Sequence, residues 1–222
     1  DHFNIQHLDR FYQRTAAREN CPGIGVLAFE CGPTNSAEAV FNAYKAKHPK
    51  LLAQDAVKTY EDKSFMHSGF YKVVEVFAYY EADGKGNPDM GTILRFVERN
   101  GSMATVTLPG LEGVKAEYNS MTVPAYSDHW VSNVKDRQGF LATLEDTLGF
   151  TPKVDFNAGV VAAGEAIIES TVTGNASTFI AHSPDEGLPN QSQIYLPINN
   201  AISSVGHVAA YLEEIGQGVQ HI

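Results

Sequence analysis

Two histidines stand at matching places in this chain, His129 in "SDHWVSNV" and His221 in "GVQHI". Each sits in an apolar, strand-like run that opens a new strand, loop and helix pattern. If successive patterns pair about a pseudo-twofold axis, their opening strands share one curved sheet and both imidazoles can face its concave side. Two neutral imidazoles suit Fe(II), zinc or nickel, and one carboxylate more would complete the two-histidine, one-carboxylate face of a non-haem iron oxygenase. On spacing alone a strand histidine is ordinarily a packed or surface residue, so the neighbouring residues have to decide.

Other reactive groups point nowhere in particular. His2, His7, His48, His67, His182 and His207 have no partner at ligand spacing. Glu165 and Glu169 read as a solvated face of a strand, not as replacement carboxylates. Cys21 and Cys31 form neither a CxxC pair nor a disulfide framework and read as free structural thiols. The glycines of "DGKGNPD" lie in a hairpin, without the strand-to-helix setting and Lys-Ser/Thr end of a phosphate loop. Neither a GxSxG elbow nor an HExxH pair occurs.

The elements that must position the two histidines are legible in outline. From Ile24 an apolar stretch leads into a Gly/Pro/Thr/Asn turn and then a helix pattern. Asn35 or Ser36 can cap that helix, Val40, Ala43, Tyr44 and Lys47 share a face, and Pro49 closes it. Two β-rich runs around "DGKGNP" predict a hairpin with a long loop, so residues 24–106 make one β-α-β-β(-β) unit. After a Pro/Gly-punctuated connector the pattern restarts at "SDHWVSNV". Asp136 is the predicted cap of its helix, Phe140, Leu141, Leu144 and Leu148 its inner stripe, and Gly149 its left-handed end. Strand-like "EAIIESTVTG" and "SQIYLPIN" follow, then a helix in "GHVAAYLEEIG", then "QGVQHI", which opens a third unit. Residues 1–20 read as the tail of an earlier unit, and a chain that starts and stops within repeats is expected to be a processed or partial one.

Composition bounds the partners. With 222 residues and 43% apolar content the chain can bury a core, and its longest apolar runs are too short to span a bilayer. A net charge of −10 with scattered basic residues argues against a nucleic-acid partner. The N-terminal stretch lacks the basic start and apolar centre of a signal peptide.

The surrounding words carry a resemblance. "DHWVSNV", then a helix and "LGF", then "YLPIN", then "YLEEIGQGVQHI", resemble the C-terminal half of the 4-hydroxyphenylpyruvate dioxygenase family, in the vicinal oxygen chelate superfamily. "IGVLAFECG", "FYKVVEVFAYY", "ILRFVERNG" and "LPGLEGV" are similar to the latter part of its N-terminal domain. The resemblance implies an α+β fold of repeated β-α-β-β-β modules, incomplete at both ends. Residues 1–120 would be the latter part of a non-metal module pair, and 121–222 the start of the metal-binding pair, cut after its second histidine. It implies His129 and His221 as Fe(II) ligands, and Ser170, Asn199 and Gln220 as residues lining the substrate pocket. The family's third ligand, a glutamate, lies beyond the second histidine, where this chain has no residue to match it. Asn200-Ala201 also departs from the acidic residue and proline usual after "PIN".

The implied activity is Fe(II)-dependent oxidative decarboxylation and ring hydroxylation of an aryl 2-oxo acid to homogentisate, with dioxygen as co-substrate, in tyrosine catabolism. A different reading makes the chain a non-catalytic relative, a structural or binding subunit of a larger assembly. Its open module edges would then be covered by another copy or a partner subunit. A third reading is a glyoxalase-like lyase or an extradiol dioxygenase on the same fold. The expected location is the cytoplasm or an organelle, a plastid among them.

Overall fold

The computed structural model describes residues 24–31, 36–64, 67–101, 128–163, 165–175 and 194–222. Helix α1 (Ala37–Lys47) begins where Ser36 is extended and its hydroxyl oxygen accepts from the Ala39 N–H, satisfying one donor that a helix start leaves open. Asn35, the other candidate cap, lies outside the described residues. Of the predicted inner face, Val40 and Tyr44 are buried and Ala43 half-buried, while Lys47 is exposed in the last turn, where its charge suits the helix dipole. The helix stops at His48, because the residue before a proline is pushed out of the helical region; a short 3-10 turn, Pro49–Leu51, follows.

Strands β1 (Val26–Glu30), β2 (Leu52–Ser64), β3 (His67–Tyr80) and β4 (Pro88–Gly101) form a sheet in the order β1-β4-β3-β2. β1 runs parallel to β4, and the other neighbours are antiparallel. β3 and β4 are the hairpin predicted around "DGKGNP", whose Gly84 and Gly86 take the positive φ that its loop requires. The second unit comprises β5 (Val131–Asn133), α2 (Arg137–Leu148), β6 (Thr151–Ala163), β7 (Ala166–Gly174) and β8 (Tyr195–Ala201). Helix α3 (His207–Glu214) and β9 (Gly218–His221) follow, and the second sheet runs β6-β7-β8-β5-β9. Asp136 caps α2 by accepting from the Gly139 N–H, and Gly149 ends it at φ 67° in the left-handed region.

The two units follow one path. In each, the opening strand lies parallel against the last strand of its own hairpin. The registers superpose: the row Glu30, Val97, Val73 in the first sheet corresponds to Asn133, Asn199, Ser170 in the second. The amides that follow, Cys31 and Val134, donate to the carbonyls of Val97 and Asn199 in the same way. β9 then pairs antiparallel with β5, so two opening strands lie side by side.

Helices α1 and α2 contribute to one core. Tyr44 of α1 and Val74, Val76 and Phe96 of the first sheet cluster with Phe140 and Leu144 of α2 and Leu196 and Ile198 of the second sheet. Each such side chain, fully buried, is worth roughly 1.5–3 kcal/mol. Leu141 and Leu148, predicted in the α2 stripe, are half-buried at its margin. Across the joint, the Phe140 ring stands edge-on to Tyr79 at 4.8 Å, and the Tyr79 hydroxyl shares a 3.0 Å hydrogen bond with that of Ser132. Among the described residues no helix is long and apolar enough to cross a membrane.

Burial pushes the Tyr44 phenol up to about 12, and the Tyr79 phenol higher still, because a phenolate in the core would lose its hydration. A raised acid pKa means the fold favours the neutral phenol; that contribution is intact below the ordinary value of 10.0 and is lost as pH rises through the folded value. Urea unfolding followed across alkaline pH is therefore expected to show stability falling from about pH 10 upward, with Tyr44→Phe and Tyr79→Phe together flattening the slope. An unchanged slope in the double variant would assign the alkaline loss to other groups.

Candidate metal-binding site

Strand β5 is three residues long, and all three are buried. Its register is set from both sides, by β8 in parallel (Ser132↔Ile198, Asn133↔Asn199) and by β9 antiparallel (Ser132↔Val219, Asn133↔Gly218). The Trp130 N–H donates to the Tyr195 carbonyl at 3.1 Å, and the Trp130 ring packs 5.0 Å from Phe29 of the first unit. His129 thus enters on a segment held at its next residue.

β9 is held as firmly before it begins. The Gln217 side chain, almost fully buried, accepts from the Lys135 N–H at 2.9 Å and donates to the Tyr80 carbonyl at 2.8 Å and to Asp89 Oδ2 at 2.9 Å. One amide side chain therefore ties β9 to the end of β5 and to the first unit. Next along, the Tyr211 hydroxyl of α3 donates to the Val219 carbonyl at 3.0 Å. A Cβ on Gly218 would lie 2.7 Å from that hydroxyl oxygen, so glycine there is a close-approach requirement.

The pairing of β9 then slips. Val219 stands opposite Ser132 but His221 stands opposite Val131, leaving Gln220 as an extra residue with no partner on β5. Strict alternation would put Val219 and His221 on the same face, and Val219 belongs to the core. The bulge breaks that alternation and turns the His221 imidazole to the face of Val131, away from the core. There its ring meets that of His129 edge-on, with centroids 5.7 Å apart and planes at 86°.

The donors suit a cation. Asp128 Oδ2 lies 2.7 Å from His129 Nδ1, and Gln220 Oε1 lies 3.3 Å from His221 Nδ1. An acceptor at Nδ1 holds the proton on that nitrogen and leaves the Nε2 lone pair as the donor, the usual support for a metal-binding imidazole. Two neutral imidazoles of this kind fit a divalent first-row metal. Among the described residues no third histidine, cysteine, aspartate or glutamate joins them.

Ser170 and Asn199 are cross-strand partners, each about nine-tenths buried, and Asn199 Nδ2 lies 3.4 Å from Asn133 Oδ1. By alternation this row shares the face of Val131 and His221, opposite to α2. Asn133 is the member that motif reasoning missed. It is fully buried, its Nδ2 has no hydrogen-bond partner among the described residues, and its place two residues beyond Val131 on β5 was the available signal. The same row in the first unit is Val73, Val97 and an exposed Glu30, so valines stand where the second unit has the buried polar pair Ser170 and Asn199. Gln220, the third predicted pocket residue, is half-buried at the bulge beside His221.

The remaining candidates fall elsewhere. Glu169 is not merely solvated: its carboxylate lies 3.4 Å from Arg137 on the helix side of the sheet. Glu165 and His207 are exposed, and the His48 Nδ1 lies 3.1 Å from the Tyr80 hydroxyl. The Cys31 thiol is free and half-buried, and burial, then Glu98, push it up to about 11. His2, His7, His182 and Cys21 lie outside the described residues, as does the side chain of His67.

No protein-family model and no curated protein matches this chain. Among solved structures, a triple-substituted 4-hydroxymandelate synthase from Streptomyces coelicolor matches with a TM-score of 0.56 at 14% identity. The match covers 95% of this chain and 50% of that one, so the chain spans about half the length of the structure it resembles. The likeness shows the fold alone, an α+β fold of the vicinal oxygen chelate kind.

Because Gln217 uses donor and acceptor together, Gln217→Glu sets a carboxylate against Asp89 and the Tyr80 carbonyl. Denaturant unfolding is expected to show a loss of about 2–3 kcal/mol, typical of a buried hydrogen-bonded group turned repulsive. Asp89→Asn in that background should recover part of it, and no recovery would show that Asp89 is not the group opposed.

Proposed function

We propose that this chain supplies two protein ligands, His129 and His221, of a non-haem Fe(II) site, with an aryl 2-oxo acid pocket alongside. The protein would act as a 4-hydroxyphenylpyruvate dioxygenase-like enzyme that decarboxylates its substrate oxidatively and hydroxylates the ring to give homogentisate. The observation that carries this reading is the edge-on approach of the two imidazoles at 5.7 Å, made by strands from successive units. The fold likeness supports it, and so does the name of the matched structure, since 4-hydroxymandelate is also an oxygenated aryl acid.

Bound Fe(II) would supply a Lewis-acid and redox centre at which a 2-oxo acid and dioxygen react. A carboxylate from outside the described residues completes the ligand set in this proposal. Within the chain, Asp128 Oδ2 and Gln220 Oε1 lie beside the two Nδ1 atoms, where they would accept an Nδ1–H and leave each Nε2 free for the metal. Ser170, Asn199 and Asn133 offer hydroxyl and amide groups in an otherwise apolar strand environment, enough to orient the oxygens of a bound acid.

An anaerobic Fe(II) titration tests the reading directly. About one iron per chain is expected, abolished by His129→Ala and weakened roughly 10- to 100-fold by Asp128→Ala, which removes only the supporting carboxylate. Addition of 4-hydroxyphenylpyruvate and oxygen should then give oxygen uptake that depends on His129. Iron that binds equally to His129→Ala would overturn the site, and the non-catalytic, subunit-like reading would take its place.

A further inference from the structure

We infer that Arg137 is a positioning residue for the aryl acid pocket: its guanidinium clamps β7 and β8 from the helix side and so sets where Ser170 and Asn199 stand on the other. This rests on the pocket proposed above. Arg137 is the first residue of α2, where the helix dipole disfavours a cation, yet it is buried. Its Nε donates to Asn200 Oδ1 at 2.9 Å, one Nη donates to the Thr171 hydroxyl, and the other lies 3.4 Å from Glu169 Oε2. Glu169 and Asn200 face each other across the two strands, and the next pair along is Ser170 and Asn199. Neighbouring residues on a strand point to opposite faces, so the clamp and the polar pair share one piece of backbone. A rigid planar fork that engages acceptors on both strands holds their spacing and twist together.

The first unit makes the same tie with the charges exchanged. The first residue of α1, Ala37, donates its N–H to Glu98 Oε2 at 2.9 Å; Glu98 faces Lys72 across β3 and β4, and Lys72 reaches Glu38 on the helix at 3.2 Å. By register, Lys72 and Glu98 occupy the places of Glu169 and Asn200. The pair beside them is Val73 and Val97, which offers no polar contact, whereas the Arg137 clamp stands behind Ser170 and Asn199. The register equivalence also explains Asn200: with an arginine on the helix and Glu169 already beside it, the acid of the first unit has moved from the fourth strand of the unit to the third.

The test compares Arg137→Ala, Glu169→Gln and a transplant of the first unit's contact set, Arg137→Ala/Gln138→Glu/Glu169→Lys/Asn200→Glu, with the unsubstituted chain. Affinity for 4-hydroxyphenylpyruvate and for Fe(II) is measured anaerobically, with hydrogen exchange of the β7 and β8 amides. Arg137→Ala is expected to weaken acid binding about tenfold, the roughly 1.4 kcal/mol of one charge-assisted hydrogen bond, while Fe(II) affinity stays within about twofold. Exchange in β7 and β8 should quicken, and the transplant should restore both protection and acid binding. Glu169→Gln keeps two of the three contacts and should lose about threefold, which covers the case in which Arg137→Ala does not fold. Acid binding by Arg137→Ala as tight as by the unsubstituted chain, or a transplant that regains protection but not binding, would overturn the inference alone. An unsubstituted chain that binds no acid would bring down the pocket and the inference together.

Discussion

The candidate site depends on the placement of a three-residue strand between two others. β5 is too short to hold a register by its own ladder, so its position comes from β8 on one side, β9 on the other, and the Ser132–Tyr79 hydroxyl contact beneath. Gln217 closes this arrangement by bonding the end of β5, the start of β9 and the first unit with a single buried amide. A buried amide with every bond made is costly to disturb in any direction, which makes it a good fixed point. His129 and His221 then stand at the near ends of two strands whose relation is set elsewhere.

Repetition lets the same scaffold carry different side chains in its two halves. Both units run one path, and the row across the sheet can be read in the same register in each. In the first it is largely valine, and in the second it is serine and two asparagines. The backbone geometry is common to both, so the difference in chemistry is a matter of side chains at fixed places. The helix-to-strand ties show the same freedom, since Glu98 with Lys72 and Arg137 with Glu169 meet the same demand with opposite charges. Such a demand is geometric: a helix start must be joined to the strands under it, and either sign of charge can do so when its partner is exchanged as well.

Local signals were legible because they are local. Ser36 and Asp136 stop open helix N–H groups within a few residues, Gly149 takes a left-handed turn, and "DGKGNP" turns a hairpin, each for reasons contained in its own stretch. β2 and β6 escaped notice because neither "LAQDAVKTYEDKS" nor "TPKVDFNAGVVAA" alternates cleanly. They become strands by pairing with β3 and β7, and both pairings contain register shifts that spoil a period-two pattern. Glu169 looked like a solvated acid for a similar reason: its partner lies 32 residues upstream on a helix, at a distance no spacing rule covers.

The sequence by itself determined the order of the elements that carry local signals, the caps of α1 and α2, a histidine at each of two strand openings, and the polar residues of "IIESTV" and "LPIN". These follow from patterns a few residues long. Only the tertiary structure decided that the two imidazoles meet. "GVQH" read as a regular strand puts His221 on the face of Val219, inside the core, and the extra residue Gln220 reverses this through a bulge that exists only against β5. Nor could spacing find Asn133 or the fork of Arg137, since a buried amide and a buried cation gain their meaning from strands folded against them. Register between distant strands is set by long-range pairing and burial, and those energies are written in contacts the linear chain does not show.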